Sequence, residues 1–334
     1  MSLIYGLSLA KKIYLVSDSR LTYTDGSYKD DFSKWLNLNP QLAVVVAGSA
    51  RQACWLLREI RKGINKDWDF SELENFLKDS IQSLATRYYS ETGDYNDSVG
   101  MIFGGFEKSN KLEIDAARLG QIMSSPVIER GEGVNVSQTV DSQIKEALLQ
   151  TLMKGTREGR TVGEGTLIEV DSPRPRIMAV TINASDRGAE VTFENAGCYD
   201  GLVFNPKYKT ERIVLPDSLI GNLEFRDKSG ETEENTLYKD QGYIIIDALR
   251  LLRERKWPTV GGNILCLVMT PDFSGFASGD YMYVPAEGDP IRGGTEVIDG
   301  RLHYFDKEGQ KHPYRFIYDY LDNSDKKDKG GAAL

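Results

Sequence analysis

The chain has 334 residues, 40% of them hydrophobic, enough to bury one large core or two smaller ones. With 41 Lys and Arg against 50 Asp and Glu, the net charge is −9 and the pI near 5.0, which argues against nucleic acid or an anionic membrane as the main partner. No apolar run reaches membrane-spanning length, and the first twenty residues lack the charged and apolar regions of a signal peptide, so a cytoplasmic protein is expected.

The front of the chain reads as a β-hairpin and a returning strand. Leu3 to Leu9 is apolar and β-rich, Ala10-Lys11-Lys12 is a polar turn, and Ile13 to Asp18 is a second strand with Asp18 at its end. A turn follows at Asp25-Gly26-Ser27, then a strand from Lys34 to Asn39, then the strand Leu42 to Gly48, which runs straight into a helix. Ser2, Asp18 and Lys34 are sixteen residues apart and sixteen again. Taken singly, Ser2 is a common second residue, and Asp18 and Lys34 could be a surface ion pair. Together they suggest more. A Met-Ser start loses its Met readily, leaving a serine with hydroxyl and free α-amine on one residue, a nucleophile and general base combined.

In these residues the chain resembles the proteasome β-subunit family of N-terminal nucleophile (Ntn) hydrolases, including the bacterial members HslV and Anbu. With Ser2 set on the family's nucleophile, one ungapped register puts Asp18 on its aspartate and Lys34 on its lysine. The same register puts Thr22 on the threonine that holds the substrate backbone, and Gly48 on the glycine whose N–H forms the oxyanion hole. Ser17-Asp18-Ser19-Arg20 looks most like Anbu. The resemblance implies an α+β fold, a four-layer αββα sandwich. It also implies a self-compartmentalising peptidase in which Ser2 attacks, its amine takes the proton, and Arg20 helps keep Asp18 ionised. Thr22 and Ala50 would hold the substrate as an added strand, and Leu21, Phe32 and Val46 would line an apolar side-chain pocket.

Further along, a helix is expected from Ala50 to Ile64, with Ala53, Leu56, Leu57, Ile60 and Ile64 on one face. A second helix opens with Ser71 as N-cap and Glu74 completing a capping box; it turns Leu73, Phe76, Leu77, Leu84 and Tyr88 inward. Strands follow at Gly100 to Phe106 and Lys111 to Asp115. Gly131-Glu132-Gly133, leading into a helix through Ile144, Ala147, Leu148 and Leu152, falls where the family carries Gly-Ser-Gly. Glu132 would place a carboxylate beside the amine, either raising its pKa or marking a rebuilt site.

Residues 1–155 are thus the first part of the core, and 241–321 its remainder with a C-terminal hairpin. Between them, residues 156–240 are an insertion of β-rich elaboration, with runs at Gly165 to Val170, Arg176 to Ile182 and Ala189 to Glu194 and with Pro173 and Pro175 as breakers. A helix is expected from Gly242 to Arg253. The stretch Lys256 to Met269 resembles the family's Gly-Gly turn and strand, but Trp257 and Val260 stand where catalytic members have an aspartate and a serine. Only Thr259 can hydrogen-bond nearby. Residues 322–334 are a polar tail expected to be disordered.

Cys54, Cys198 and Cys266 are widely separated and form no disulfide framework or CxxC pair. His303 and His312, the only histidines, fall in the polar C-terminal hairpin, so no metal site and no cofactor are expected. A peptide or protein substrate, a homo-oligomeric ring or stack, and an ATP-driven unfoldase are the partners the resemblance suggests; nothing in the residues supports the last. The alternatives that stay open are an inactive proteasome-like scaffold, and a transamidase sharing the same acyl-enzyme.

Overall fold

A computed structural model describes residues 2–9, 12–23, 26–95, 98–107, 173–185, 188–196, 200–205, 209–214, 244, 260–271, 273–275, 283–284, 295–298, 301–305 and 308–316. The chain divides into two compact units, residues 1–106 with 175–334 and residues 107–174. Almost all described residues belong to the first.

The chain starts with β1 (Ile4–Ser8), β2 (Ile13–Asp18), β3 (Leu21–Thr22), β4 (Tyr28–Lys29), β5 (Phe32–Ser33), β6 (Trp35–Asn39) and β7 (Leu42–Gly48). Helices α1 (Ala50–Gly63) and α2 (Phe70–Thr92) follow, then β8 (Ser98–Glu107), β9 (Arg174–Ser185), β10 (Gly188–Ala196), β11 (Asp200–Asn205) and β12 (Lys209–Val214). The last described strands are β13 (Gly262–Thr270), β14 (Phe273–Gly275), β15 (Tyr283–Val284), β16 (Thr295–Ile298), β17 (Arg301–Phe305), β18 (Lys311–Pro313) and β19 (Arg315–Phe316).

Among the described residues, one sheet runs β12-β11-β1-β2-β13-β14 with β15 also on β13, and a second runs β10-β9-β8-β7-β6. The registered pairs in both are antiparallel, so the protein is α+β. β7 shows why its sequence is continuously apolar. Leu42, Val44 and Val46 face one core while Ala43, Val45 and Ala47 face another, the period of two that a strand buried on both faces requires. The first core lies between the second sheet and the two helices, with Leu56, Leu57 and Ile60 of α1 and Leu73, Leu77 and Ile81 of α2. The other lies between the sheets, where Ile4, Ile13 and Leu15 meet Ile102, Ile177 and Ala179. There the sheets approach closely at Gly100, where any side chain would run into the Phe204 ring. Tyr5, Tyr14, Val16, Cys266 and Val268 alternate onto the opposite face of the first sheet and are buried as well.

Several expectations change here. Helix α2 is capped by Asp69, not Ser71. Asp69 Oδ1 accepts from the Glu72 N–H at 3.1 Å and Glu72 Oε2 accepts from the Asp69 N–H at 2.8 Å. The same four-residue pattern occurs twice, two residues apart, and the earlier copy wins because it brings Phe70 into the core. Glu74 is used elsewhere, accepting from Lys78 and Asn195. Pro175 does not break a strand but lies inside β9, ahead of the Ile177–Ala196 pair where the ladder with β10 begins; its carbonyl accepts from Ser8 Oγ. β9 is an interior strand of the second sheet, and β11 pairs with β1. The described part of residues 156–240 therefore supplies strands to both sheets. The strand read as Lys34 to Asn39 is β6, beginning one residue later, so Lys34 lies between β5 and β6.

The expected strands at 111–115 and 165–170 and the helices through 144–152 and 242–253, apart from Ile244, lie outside the described residues, as do Glu132, Trp257, Thr259, Cys198 and the tail. No helix among the described residues is long and apolar enough to cross a membrane. Cys54 and Cys266 are buried, and neither is in a disulfide.

Candidate functional site

The β1–β2 hairpin fixes the start of the site. Ile4 pairs with Ser17, so Leu3 lies beside Asp18, and the two exchange bonds: the Asp18 N–H donates to the Leu3 carbonyl at 3.2 Å, and the Leu3 N–H to Asp18 Oδ1 at 2.9 Å. On its other side β2 pairs with β13, with Asp18 opposite Ile264, and the Gly261 N–H approaches Asp18 Oδ2 at 3.4 Å. Lys34 enters from the junction of β5 and β6, held by its own carbonyl accepting from the Val46 N–H at 2.9 Å. Its Nζ donates to Asp18 Oδ1 and to Ser2 Oγ, each at 2.7 Å. Ser2, Asp18 and Lys34 are 9%, 0% and 2% exposed.

Burial dominates the electrostatics of this trio. Desolvation pushes the Lys34 ammonium below its ordinary value and the Asp18 carboxyl above its own, while their mutual attraction and the Leu3 and Gly261 N–H groups on Asp18 act the other way. An amine held in this way, 2.7 Å from a hydroxyl oxygen, can donate to that oxygen and stabilise negative charge developing on it.

Gly48 ends β7 with φ 94, a left-handed conformation that favours glycine, and a Cβ there would collide with the Ser98 carbonyl. That carbonyl accepts from the Ser49 N–H at 2.8 Å, and Ser49 caps α1 by accepting from Gln52 N. Ala50 is the first residue of α1, beside this turn.

The direct partner of Arg20 is Asp30, and Arg20 meets Asp18 through its charge alone. Its Nε and Nη2 bind both oxygens of Asp30 at 2.7 and 2.9 Å, and its guanidinium carbon lies 3.8 Å from the centre of the Tyr28 ring. Thr22 sits in the β3–β4 ribbon, opposite Tyr28. Leu21, Phe32 and Val46 do gather in one apolar cluster with the helices, but Phe32 and Val46 are 0% and 2% exposed. They pack as core here and present no surface to a ligand. Val260, at the position where a bracing serine was looked for, is buried.

Sequence reasoning did not assign a surrounding polar lattice. Ser19 and Asn263 exchange bonds, Ser19 N–H to the Asn263 carbonyl at 2.9 Å and Asn263 N–H to Ser19 Oγ at 2.7 Å, while Ser19 Oγ donates to the Asp30 carbonyl at 2.7 Å. Asn263 Nδ2 donates to the Tyr314 hydroxyl. Arg315 Nε donates to Asp31 Oδ2 at 2.8 Å. Only the Gly-Gly turn at 261–262 was visible beforehand, and it gave no hint of a side-chain partner. No group of three His, Cys, Asp or Glu among the described residues could hold a metal.

No known family's sequence model matches the chain, and no curated protein matches it. Solved structures similar to it include an Anbu (Gly-1) mutant from Hyphomicrobium sp. strain MC1, at 9% identity and TM-score 0.38, covering 100% of this chain and 99% of that one. Another is the helical assembly of the Anbu complex from Pseudomonas aeruginosa, at 13% identity and TM-score 0.37, covering 86% and 88%.

Proposed function

We propose that this chain is an N-terminal nucleophile amidohydrolase acting on peptide bonds, with Ser2 as nucleophile once Met1 is removed. The observation that carries the reading is the Lys34 amine, 2.7 Å from both Ser2 Oγ and Asp18 Oδ1 in a nearly dry setting. Ser2 Oγ attacks the carbonyl carbon, and its proton passes to the α-amine, directly or through water. Lys34 stabilises the developing alkoxide, and the Gly48 N–H the oxyanion, an effect of roughly 3 to 4 kcal/mol for one donor in comparable sites. The protonated amine then hands its proton to the leaving nitrogen, and water hydrolyses the Ser2 ester. The full architecture in this reading is a four-layer sandwich. The assembly is a homo-oligomer in the cytoplasm.

A scaffold without catalysis is the second reading, favoured by buried Val260 at the bracing position and by the packed state of Phe32 and Val46. Intact mass before and after a peptide epoxyketone separates the two, because the stable ring adduct needs both a free amine and its hydroxyl on one residue. Loss of Met1 with a stoichiometric adduct that disappears in Ser2→Ala is the expected result. A chain that keeps Met1, or loses it and forms no adduct, sinks the hydrolase.

A further inference from the structure

Residues 314–316 touch the site from the far end of the described chain, on two sides. On one side, the Tyr314 hydroxyl is the acceptor for Asn263 Nδ2. Asn263 is 6% exposed and its Oδ1 has no partner, so Tyr314 supplies the amide's one side-chain bond. The Asn263 backbone is tied both ways to Ser19, next to Asp18, and two residues before it the Gly261 N–H points at Asp18 Oδ2. Tyr314 is itself fixed by its N–H on the Leu302 carbonyl at 2.8 Å and by the Tyr304 ring at 5.1 Å between centroids. Burial pushes its hydroxyl above the ordinary value, so it keeps its proton.

On the other side, β19 runs parallel to β5, with Arg315 opposite Phe32 and Phe316 opposite Ser33. The Arg315 N–H donates to the Asp31 carbonyl at 2.9 Å, its guanidinium binds Asp31 Oδ2, and the Phe316 ring meets Trp35 edge-on at 5.7 Å. These contacts grip Asp31 to Ser33 and Trp35, the residues immediately before and after Lys34. One three-residue segment thus braces the turn that faces Asp18 and the strand junction that carries Lys34.

We infer that Tyr314, Arg315 and Phe316 are positioning residues for the Asp18–Lys34 pair, acting through Asn263 and through the β5 strand without touching the reacting atoms. The consequence for catalysis rests on the hydrolase reading above; the positioning itself does not. Tyr314→Phe removes the hydroxyl and keeps the ring, leaving the Asn263 amide without any partner in a buried place, a change felt first at the Gly261 turn. Arg315→Gln removes the charge on Asp31 and keeps the backbone ladder, and Arg315→Lys restores the charge.

Two readouts test it on the full chain. The titration of the Lys34 amine, followed by NMR in 15N-lysine-labelled protein and assigned with Lys34→Arg, is expected to move by about half a pH unit or more in Tyr314→Phe and Arg315→Gln. Arg315→Lys should bring it back toward wild type, and Asp69→Ala, a helix-cap change of similar stability cost, should leave it in place. Epoxyketone labelling of Ser2 is expected to lose on the order of 10- to 100-fold in its maximal rate while half-saturation stays put, the pattern of misplacement. An unmoved Lys34 titration in both variants overturns the inference whatever the labelling does. A wild type that never labels, with the Lys34 titration still moving, overturns the hydrolase and leaves the positioning intact.

Discussion

Replacing Lys34 by Met offers the sharpest physical test of the buried trio. The ammonium disappears, and the Asp18 carboxylate, 0% exposed, keeps only two backbone donors, Leu3 N–H at 2.9 Å and Gly261 N–H at 3.4 Å. Removing one partner of a buried pair typically costs about 3 to 5 kcal/mol, because the other charge is left uncompensated. Asp18 has an escape, since burial already raises its pKa above the 3.8 of a free carboxyl and loss of Lys34 raises it further. Between 3.8 and that raised value the folded protein holds a proton that the unfolded chain has released, so the folded state loses stability as pH rises through the window. The penalty of Lys34→Met should therefore be larger at pH 8 than at pH 5, by up to about 1.4 kcal/mol for each pH unit inside the window. Urea unfolding at both pH values, with wild type, Lys34→Met, Asp18→Asn and the double variant, measures it. The double variant should recover most of the loss, with a coupling of about 2 kcal/mol or more. Single losses under about 1 kcal/mol that simply add would mean the pair behaves like an exposed one, and the account of the site as a dry ion pair would be wrong.

Other outcomes follow from the same geometry. The rate of epoxyketone labelling should rise with pH as the α-amine loses its proton, ordinarily near pH 8, and fall again when the Lys34 ammonium titrates below its ordinary 10.5; a rate flat across this range would remove both groups from the step. Gly48→Ala forces a side chain onto a φ of 94 and against the Ser98 carbonyl, so a loss on the order of 1 to 3 kcal/mol is expected by thermal melting, together with loss of labelling. Asp69→Ala should cost about 1 kcal/mol through the broken capping box and leave labelling untouched.

Local patterning carried a large part of the fold. The apolar run at Leu42 to Ala47 and the stripe at Ala53, Leu56, Leu57 and Ile60 could be read because the period of a strand or helix is written into consecutive residues. The spacing of Ser2, Asp18 and Lys34 was legible through a resemblance, and the structure brings all three together. What escaped has a common cause. Asn263, Tyr314 and Arg315 reach the site across some 240 to 280 residues of chain, and no period or spacing links partners so far apart. The direct partner of Arg20 was not legible either: Asp25, Asp30 and Asp31 all stand within reach in sequence, and the β3–β4 ribbon, which brings Lys29 opposite Leu21, decides for Asp30. Phe32 and Val46 were assigned to a pocket by register alone, and register does not say whether a side chain is packed or open.

The pairing of β2 with β13 and of β5 with β19 also sets an order of events during synthesis. Gly261 meets Asp18 from 243 residues downstream, and Arg315 meets Asp31 from 284. Until those segments leave the ribosome, β2 lacks its β13 neighbour and β5 its β19 neighbour. Contacts of this range are slow to form and leave strand edges exposed in the meantime. They also delay completion: the Gly261 contact with Asp18 and the Arg315 contact with Asp31 form only after residues 261 and 315 have been made, long after Ser2, Asp18 and Lys34.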